Sequence, residues 1–306
     1  LFSRIVLSLD GSDISEQAIP ITISLAKALS LPVTLVEVAN KRSSSAIDPT
    51  RLLPVPGIQK NLEGEAANYL AETANSFRDQ GVQSVREALR SGDVAGEIMK
   101  EADEGESALI VMATHGRAGV SRWTLGSVCD RIIRHSESPV LAIRAHSEEG
   151  AESPPSDVTR LVVPLDGSEL GEQILPVVTD LARSLNVPVA LIQVGEVADL
   201  NKGYWPDDAD DARKLDEDAK AYLEHQAARL SALGVISVEV VMLHGDKADK
   251  ILSFAAEKTG TLLAMTTHGR SGVARWALGG VADRVIRHSE CPTLVIRAKI
   301  AEEKHG

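Results

Sequence analysis

The sequence predicts an α/β protein built as two tandem doubly wound domains. Each is expected to be a five-stranded parallel sheet of order 3-2-1-4-5 with helices on both faces. The first supporting observation is a long internal repeat. RIVLSLDGSDISEQAIPITISLAKALSLPVTLVEV begins at Arg4, and RLVVPLDGSELGEQILPVVTDLARSLNVPVALIQV begins at Arg160, an offset of 156 residues. A period this long means duplicated domains, not a solenoid. The second is a glycine-bearing segment that occurs twice, THGRAGVSRWTLGSV at 114–128 and THGRSGVARWALGGV at 267–281, with eleven identities in fifteen positions. The third is the alternation of short β-branched runs with helical patterns, which implies parallel βαβ units.

In the first half, Ile5–Leu9 and Val33–Val38 read as buried strands, followed by a weaker strand at Ser84–Leu89 and then Ala108–Ala113 and Val140–Ile143. Helical patterns fall at 13–29, 62–80, 94–104 and 127–135. The second half repeats the order, with strands near 161–165, 188–194, 237–243, 261–266 and 293–296 and a long polar helix at 208–232. Between the halves, AHSEEGAESPPSD at 145–157 is polar and carries a Pro pair, the mark of a linker. The expected domains are therefore 1–144 and 158–306.

Composition narrows the function classes. With 43% apolar and 25% charged residues the chain is ordinary for a soluble globular protein. A formal net charge of −12 argues against sequence-independent nucleic-acid binding, which needs cations to neutralise phosphates. It leaves room for a small anion held by local N–H groups. No run approaches the ~18 apolar residues of a membrane span. LFSRIVLSLDGS lacks the features of a signal peptide, so the cytoplasm is the expected location. Cys129 and Cys291 occupy inequivalent places in the two halves and show no metal spacing, so both read as packing residues.

In a doubly wound sheet, ligands sit beyond the carboxyl ends of the strands where the order reverses. That places the DGS turn after the first strand beside the repeated loop after the fourth. Gly116, Gly119 and Gly126 let the backbone turn tightly and approach a ligand, and Ser127 opens the helix VCDRIIRH, whose N-terminus suits a phosphate. The loop is neither a Walker loop nor GxGxxG. Two readings of Ser127 stand side by side: phosphate contact, or a capping-box variant with Asp130. Asp10 either holds a nucleoside or caps the helix that begins near Ser12. His115 and His268 lack partners at metal-ligand spacing, and His135 and His288 suit helix C-termini. Trp123 and Trp276 read as core anchors, whereas Arg117, Arg122, Arg270 and Arg275 either meet phosphates or are solvated.

At these residues the chain resembles the universal stress protein family, over nearly all of both halves. ATP-binding members of that family carry a glycine, two residues, a second glycine, nine residues, and then Gly-Ser or Gly-Thr. Here Gly116, Arg117–Leu125 and Gly126-Ser127 match, while Ala113 replaces the first glycine; the second half offers Thr266, Gly269, Gly279 and Gly280. Asp10 and Asp166 match the family's nucleoside-contacting acid, and Val38 and Val194 the valine whose backbone recognises adenine. GDVAGEI at 92–98, GDKADKI at 245–251 and the closing HSESPVLAIR and HSECPTLVIR are also similar.

The resemblance implies ATP, with or without Mg²⁺, bound in a stress-response regulator. Its expected contacts in the first half are Asp10, Val38, Ala113, His115, Gly116, Arg117, Gly126 and Ser127. In the second they are Asp166, Val194, Thr266, His268, Gly269, Arg270, Gly279 and Gly280. It also implies that the halves pair as a pseudo-dimer through their last strands, with a homodimer of the tandem chain as a further expectation. Slow ATP hydrolysis is the enzymatic alternative, although no Walker-B carboxylate or water-orienting base is evident. A nucleotide-free interaction scaffold is the other. Because LGSV keeps a hydroxyl that LGGV lacks, the first half is expected to bind more tightly.

Overall fold

The computed structural model describes residues 2–39, 58–105, 107–114, 125–145, 155–195, 209–268 and 278–299, with backbone alone at 58–62 and 209–212. The chain divides into two compact units between Ser156 and Asp157. Residues 146–154 of the expected linker lie outside the described residues.

The first unit runs β1 (Arg4–Leu9), α1 (Asp13–Glu16), α2 (Ile19–Leu29), β2 (Val33–Ala39), α3 (Ile58–Asp79), β3 (Val85–Ser91), α4 (Val94–Asp103), β4 (Ala108–Ala113), α5 (Ser127–His135) and β5 (Val140–Ile143). Its strands pair in the order β3-β2-β1-β4-β5, and every pair is parallel. The second unit runs β6 (Arg160–Pro164), α6 (Glu169–Glu172), α7 (Leu175–Leu185), β7 (Val189–Gly195), α8 (Ala209–Ala232), β8 (Val238–His244), α9 (Lys247–Ala256), β9 (Thr261–Thr266), α10 (Gly280–His288) and β10 (Thr293–Ile296). Its order is β8-β7-β6-β9-β10, again parallel.

Central strands covered on both faces have no solvent side and therefore read as continuous apolar runs. ALIVMA of β4 and TLLAMT of β9 are buried at every position. The edge strand β3, VREALRS, is buried only at Ala88. Arg160, at the start of β6, reaches the C-terminal carbonyls of α9, bonding Phe254 O at 2.8 Å from beneath the Phe254 ring. A cation there satisfies acceptors that the helix end cannot.

One expected helix is two. The pattern at 13–29 breaks at Gln17 and Ala18, giving the four-residue α1 and then α2. Pro20, at the start of α2, explains the break. It has no N–H to give the preceding turn, and its ring would collide with the carbonyl four residues back. Pro176 does the same at the start of α7. Both long helices then end in a left-handed residue, Ser30 at φ 54° and Asn186 at φ 54°, which turns the chain into the next strand.

Candidate functional site

The loops after β1 and β4 leave neighbouring strands at one level. Leu7 pairs with Val111, so two residues further on Leu9 lies level with Ala113. In the second unit Val162 pairs with Leu263, which sets Leu165 level with Thr266. The DGS turn and the start of each repeated glycine loop are thus brought to the same end of each sheet.

The turn after β1 needs Gly11 at φ 69°, and Gly167 at φ 77° serves after β6. Beyond it Ser12, not Asp10, is the N-cap of α1: Ser12 Oγ accepts from Ser15 N at 3.2 Å. Asp10 supports that cap from behind, its Oδ1 accepting from Ser12 N at 3.1 Å and Ser12 Oγ at 2.5 Å. Asp166 repeats both bonds to Ser168, at 3.1 and 2.6 Å, and Ser168 caps Gly171 N at 3.0 Å. The capping alternative for Asp10 is therefore overturned. Its carboxylate is held in one orientation by the serine that does the capping.

Val38 owes its position to strand parity. In a parallel ladder, alternate residues address alternate neighbours. Ile5 N donates to Pro32 O at 2.9 Å, so the even-numbered residues of β2 face β1. The pairing of β1 with β2 ends at Leu9 opposite Glu37, and the chain then turns away at Asp10. The Val38 carbonyl consequently aims past the end of β1, beside Asp10. Leu161 N to Pro188 O at 3.0 Å and Leu165 N to Ile192 O at 2.9 Å set Val194 equivalently beside Asp166.

Ala113 and Thr266 end β4 and β9 and are buried. Among the described residues only Ser30 and Asn186 combine a side chain with positive φ, so neither site needs glycine's freedom. Thr266 Oγ1 donates to His268 O at 2.7 Å, and His268 Nδ1 lies 2.9 Å from Thr267 Oγ1. The loop ends are tied together: Thr114 N donates to Ile143 O at 2.8 Å, and Gly126 N returns to Thr114 O at 2.7 Å. His115, Gly116, Arg117, Gly269 and Arg270 lie outside the described residues, as do Gly119, Arg122, Trp123, Arg275 and Trp276.

At the helix starts the structure alters two expectations. Gly126 is the N-cap of α5, Ser127 is its first helical residue, and no side chain closes the cap. The capping box with Asp130 does not form. A cap glycine has no side-chain oxygen to offer, and Asp130 instead meets Arg134, one turn on, at 2.8 Å. Nor is Gly126 N–H offered outward, since Thr114 O takes it. The first intrahelical bond runs from Asp130 N to Gly126 O at 2.9 Å, leaving the N–H groups of Ser127, Val128 and Cys129 without intrahelical acceptors. In α10 the bond from Asp283 N to Gly279 O at 2.8 Å leaves those of Gly280, Val281 and Ala282.

Val128, Cys129, Val281 and Ala282 were missed in the sequence because their side chains carry no polar signal. Counting two residues past Ser127 or Gly280 would have found them. A Cβ on Gly279 would lie 3.3 Å from Thr267 O, whereas one on Gly280 would meet nothing within 4 Å. The second half thus lacks the hydroxyl for no steric reason.

The Cys129 side chain is buried, and burial, reinforced by Asp130, pushes its thiol up to about 12. Among the described residues no group of three or more His, Cys, Asp or Glu side chains is arranged to hold a metal ion. No described helix is long and apolar enough to cross a membrane.

A sequence model of the universal stress protein family matches residues 1–144 and again 158–297. A universal stress protein of Synechocystis sp. is 22% identical over 312 residues, covering 96% of this chain and 99% of that protein. One from Mycobacterium tuberculosis is 26% identical over 299 residues, 96% of each chain. The crystal structure of a universal stress protein from Archaeoglobus fulgidus superposes with a TM-score of 0.66 at 20% identity, covering 96% of both chains.

Proposed function

The chain belongs to the universal stress protein family, and from that premise we propose that it is an ATP-binding regulator of a stress response. One nucleotide is held at the switch point of each half, more tightly in the first. The observation that carries the reading is the helix start of α5, where three backbone N–H groups without intrahelical acceptors converge beside an exposed Ser127 hydroxyl. A helix N-terminus of this kind favours phosphate through both its N–H groups and its dipole. Gly126 contributes close approach, and the Val38 carbonyl accepts from an exocyclic amino group of the base. Asp10, oriented by Ser12, holds the nucleoside. Mg²⁺ accompanying the triphosphate would supply charge screening.

In the second half Val194, Asp166 and the N–H groups of Gly280, Val281 and Ala282 take the same parts, without the hydroxyl. Mass spectrometry of small molecules released on denaturing the purified chain, followed by calorimetric titration with ATP, tests the proposal. Absence of ATP binding by the intact chain sinks it.

A nucleotide-free scaffold is favoured where the chain departs from the family's glycine pattern, at Ala113, Thr266 and Gly280. The first two end strands at positions that need no positive φ, so the replaced glycine costs the backbone nothing there. Only Gly280 continues to favour it, and only for the second half.

A further inference from the structure

The helix that presents these N–H groups is tied to its neighbour by a single carboxylate. Asp93 is the N-cap of α4, its Oδ2 accepting from Gly96 N at 2.9 Å. Its other oxygen, Oδ1, accepts from Arg131 Nη1 at 2.8 Å. Arg131 follows Ser127 by four residues and so lies on the same face of α5, one turn below the helix start. The N-terminus of α4 and the second turn of α5 are thereby joined through one side chain.

The second half builds the same bracket. Asp246 Oδ1 caps Asp249 N at 3.0 Å, and Arg284 Nη1 donates to both Asp246 oxygens at 2.9 Å.

The Arg131–Asp93 pair is about half exposed, at 52% and 58%, and pairs in such positions add little to folding stability. The buried side chains of Cys129, Ile132 and Ile133 hold the axis of α5 against the sheet. The bracket ties α5 to the start of α4 one turn below the N–H groups of Ser127, Val128 and Cys129. We propose that Asp93 and Arg131, and Asp246 and Arg284 in the second half, are positioning residues that aim the phosphate-binding helix start. This rests on the nucleotide reading above.

The two halves differ in redundancy. Arg284 Nη2 also donates to Asp249 Oδ1 at 2.7 Å, so a second carboxylate holds it. Gly96 stands at the equivalent place in the first half, where a Cβ would lie 2.8 Å from Asp93 Oδ2. Loss of Asp93 therefore leaves Arg131 without a substitute, whereas loss of Asp246 leaves Asp249.

The test is calorimetric titration of the full chain with ATP and, separately, with adenosine, which has no phosphate. Each half is read while the other is blocked at its cap glycine, by Gly279→Val or Gly126→Val. Asp93 uses one oxygen for the cap and the other for Arg131, whereas Asn offers a single, uncharged acceptor oxygen in their place. Asp93→Asn and Arg131→Met are therefore expected to lower ATP affinity of the first half by roughly threefold to tenfold, the size of one lost contact. Adenosine affinity stays unchanged, Arg131→Lys restores part of the loss, and Asp246→Asn weakens the second half less. An unchanged ATP affinity, or a parallel fall for ATP and adenosine, overturns the positioning role alone. A wild-type chain that binds neither ligand overturns the nucleotide reading and this proposal with it.

Discussion

Gly126 gives its backbone N–H to the carbonyl of Thr114 at 2.7 Å, and Gly279 gives its own to Thr267 at 2.9 Å. Each bond closes a repeated loop at its base and brings a helix start against the end of a central strand. At Gly279 the closure is close, since a Cβ there would approach Thr267 O to 3.3 Å, tighter than ordinary van der Waals contact. Gly279→Val is expected to strain this closure at a cost of about 1–3 kcal/mol, the usual range for overpacking. Urea denaturation reads the loss of stability, and calorimetry reads the accompanying loss of nucleotide binding in the second half. A variant as stable as the parent would show that the closure is dispensable.

Ser127 is exposed and makes no cap bond, so its hydroxyl can be removed without weakening α5. Ser127→Ala is expected to reduce ATP affinity by about 0.5–1.5 kcal/mol, one ordinary hydrogen bond, with an unchanged melting temperature. The reciprocal change, Gly280→Ser, enters open space and should strengthen the second half by a similar amount. A lower melting temperature in Ser127→Ala, with ATP affinity intact, would reverse the assignment.

Ser12 serves two ends, capping α1 and fixing Asp10. Ser12→Ala should cost about 1 kcal/mol of stability through the lost cap. It should also weaken adenosine binding, because Asp10 loses the partner that orients it. Thermal denaturation and adenosine titration separate the two effects, and unaltered adenosine affinity would remove Asp10 from the nucleoside contact.

Asp93 sets an expectation for acid. The N–H of Gly96, and after it Arg131, hold its carboxyl below the ordinary value of 3.8. A depressed folded-state pKa contributes stability that is present above the unfolded value and is lost as pH falls through the folded one. The contribution is therefore complete at neutral pH and disappears below about pH 4. Asp93→Asn should flatten that part of the stability–pH curve, measured by urea denaturation from pH 7 to pH 3, and leave the slope at higher pH alone.

The duplicated α/β plan was legible because its signals are local. β-branched runs such as Ile5–Leu9 and Val33–Val38 mark strands wherever they occur, and a repeat offset of 156 residues needs no coordinates. Even the break between α1 and α2 was written in Pro20, although the apolar pattern across 13–29 obscured it.

Ownership of hydrogen bonds was not legible, because each donor chooses among acceptors brought together from distant parts of the chain. Asp10 was the candidate cap until α1 formed, and Ser12 took Ser15 N instead. Gly126 looked like a phosphate donor until β4 carried Thr114 O within 2.7 Å of it. That the Val38 carbonyl faces beyond β1 follows from the register of two strands and from where one of them stops. Sequence alone determined the two copies, their strands and helices, and the residue types offered at each loop. Tertiary structure decided which backbone groups those loops spend on themselves and which they present outward, since that depends on strand register and helix start, and neither is a property of any single segment.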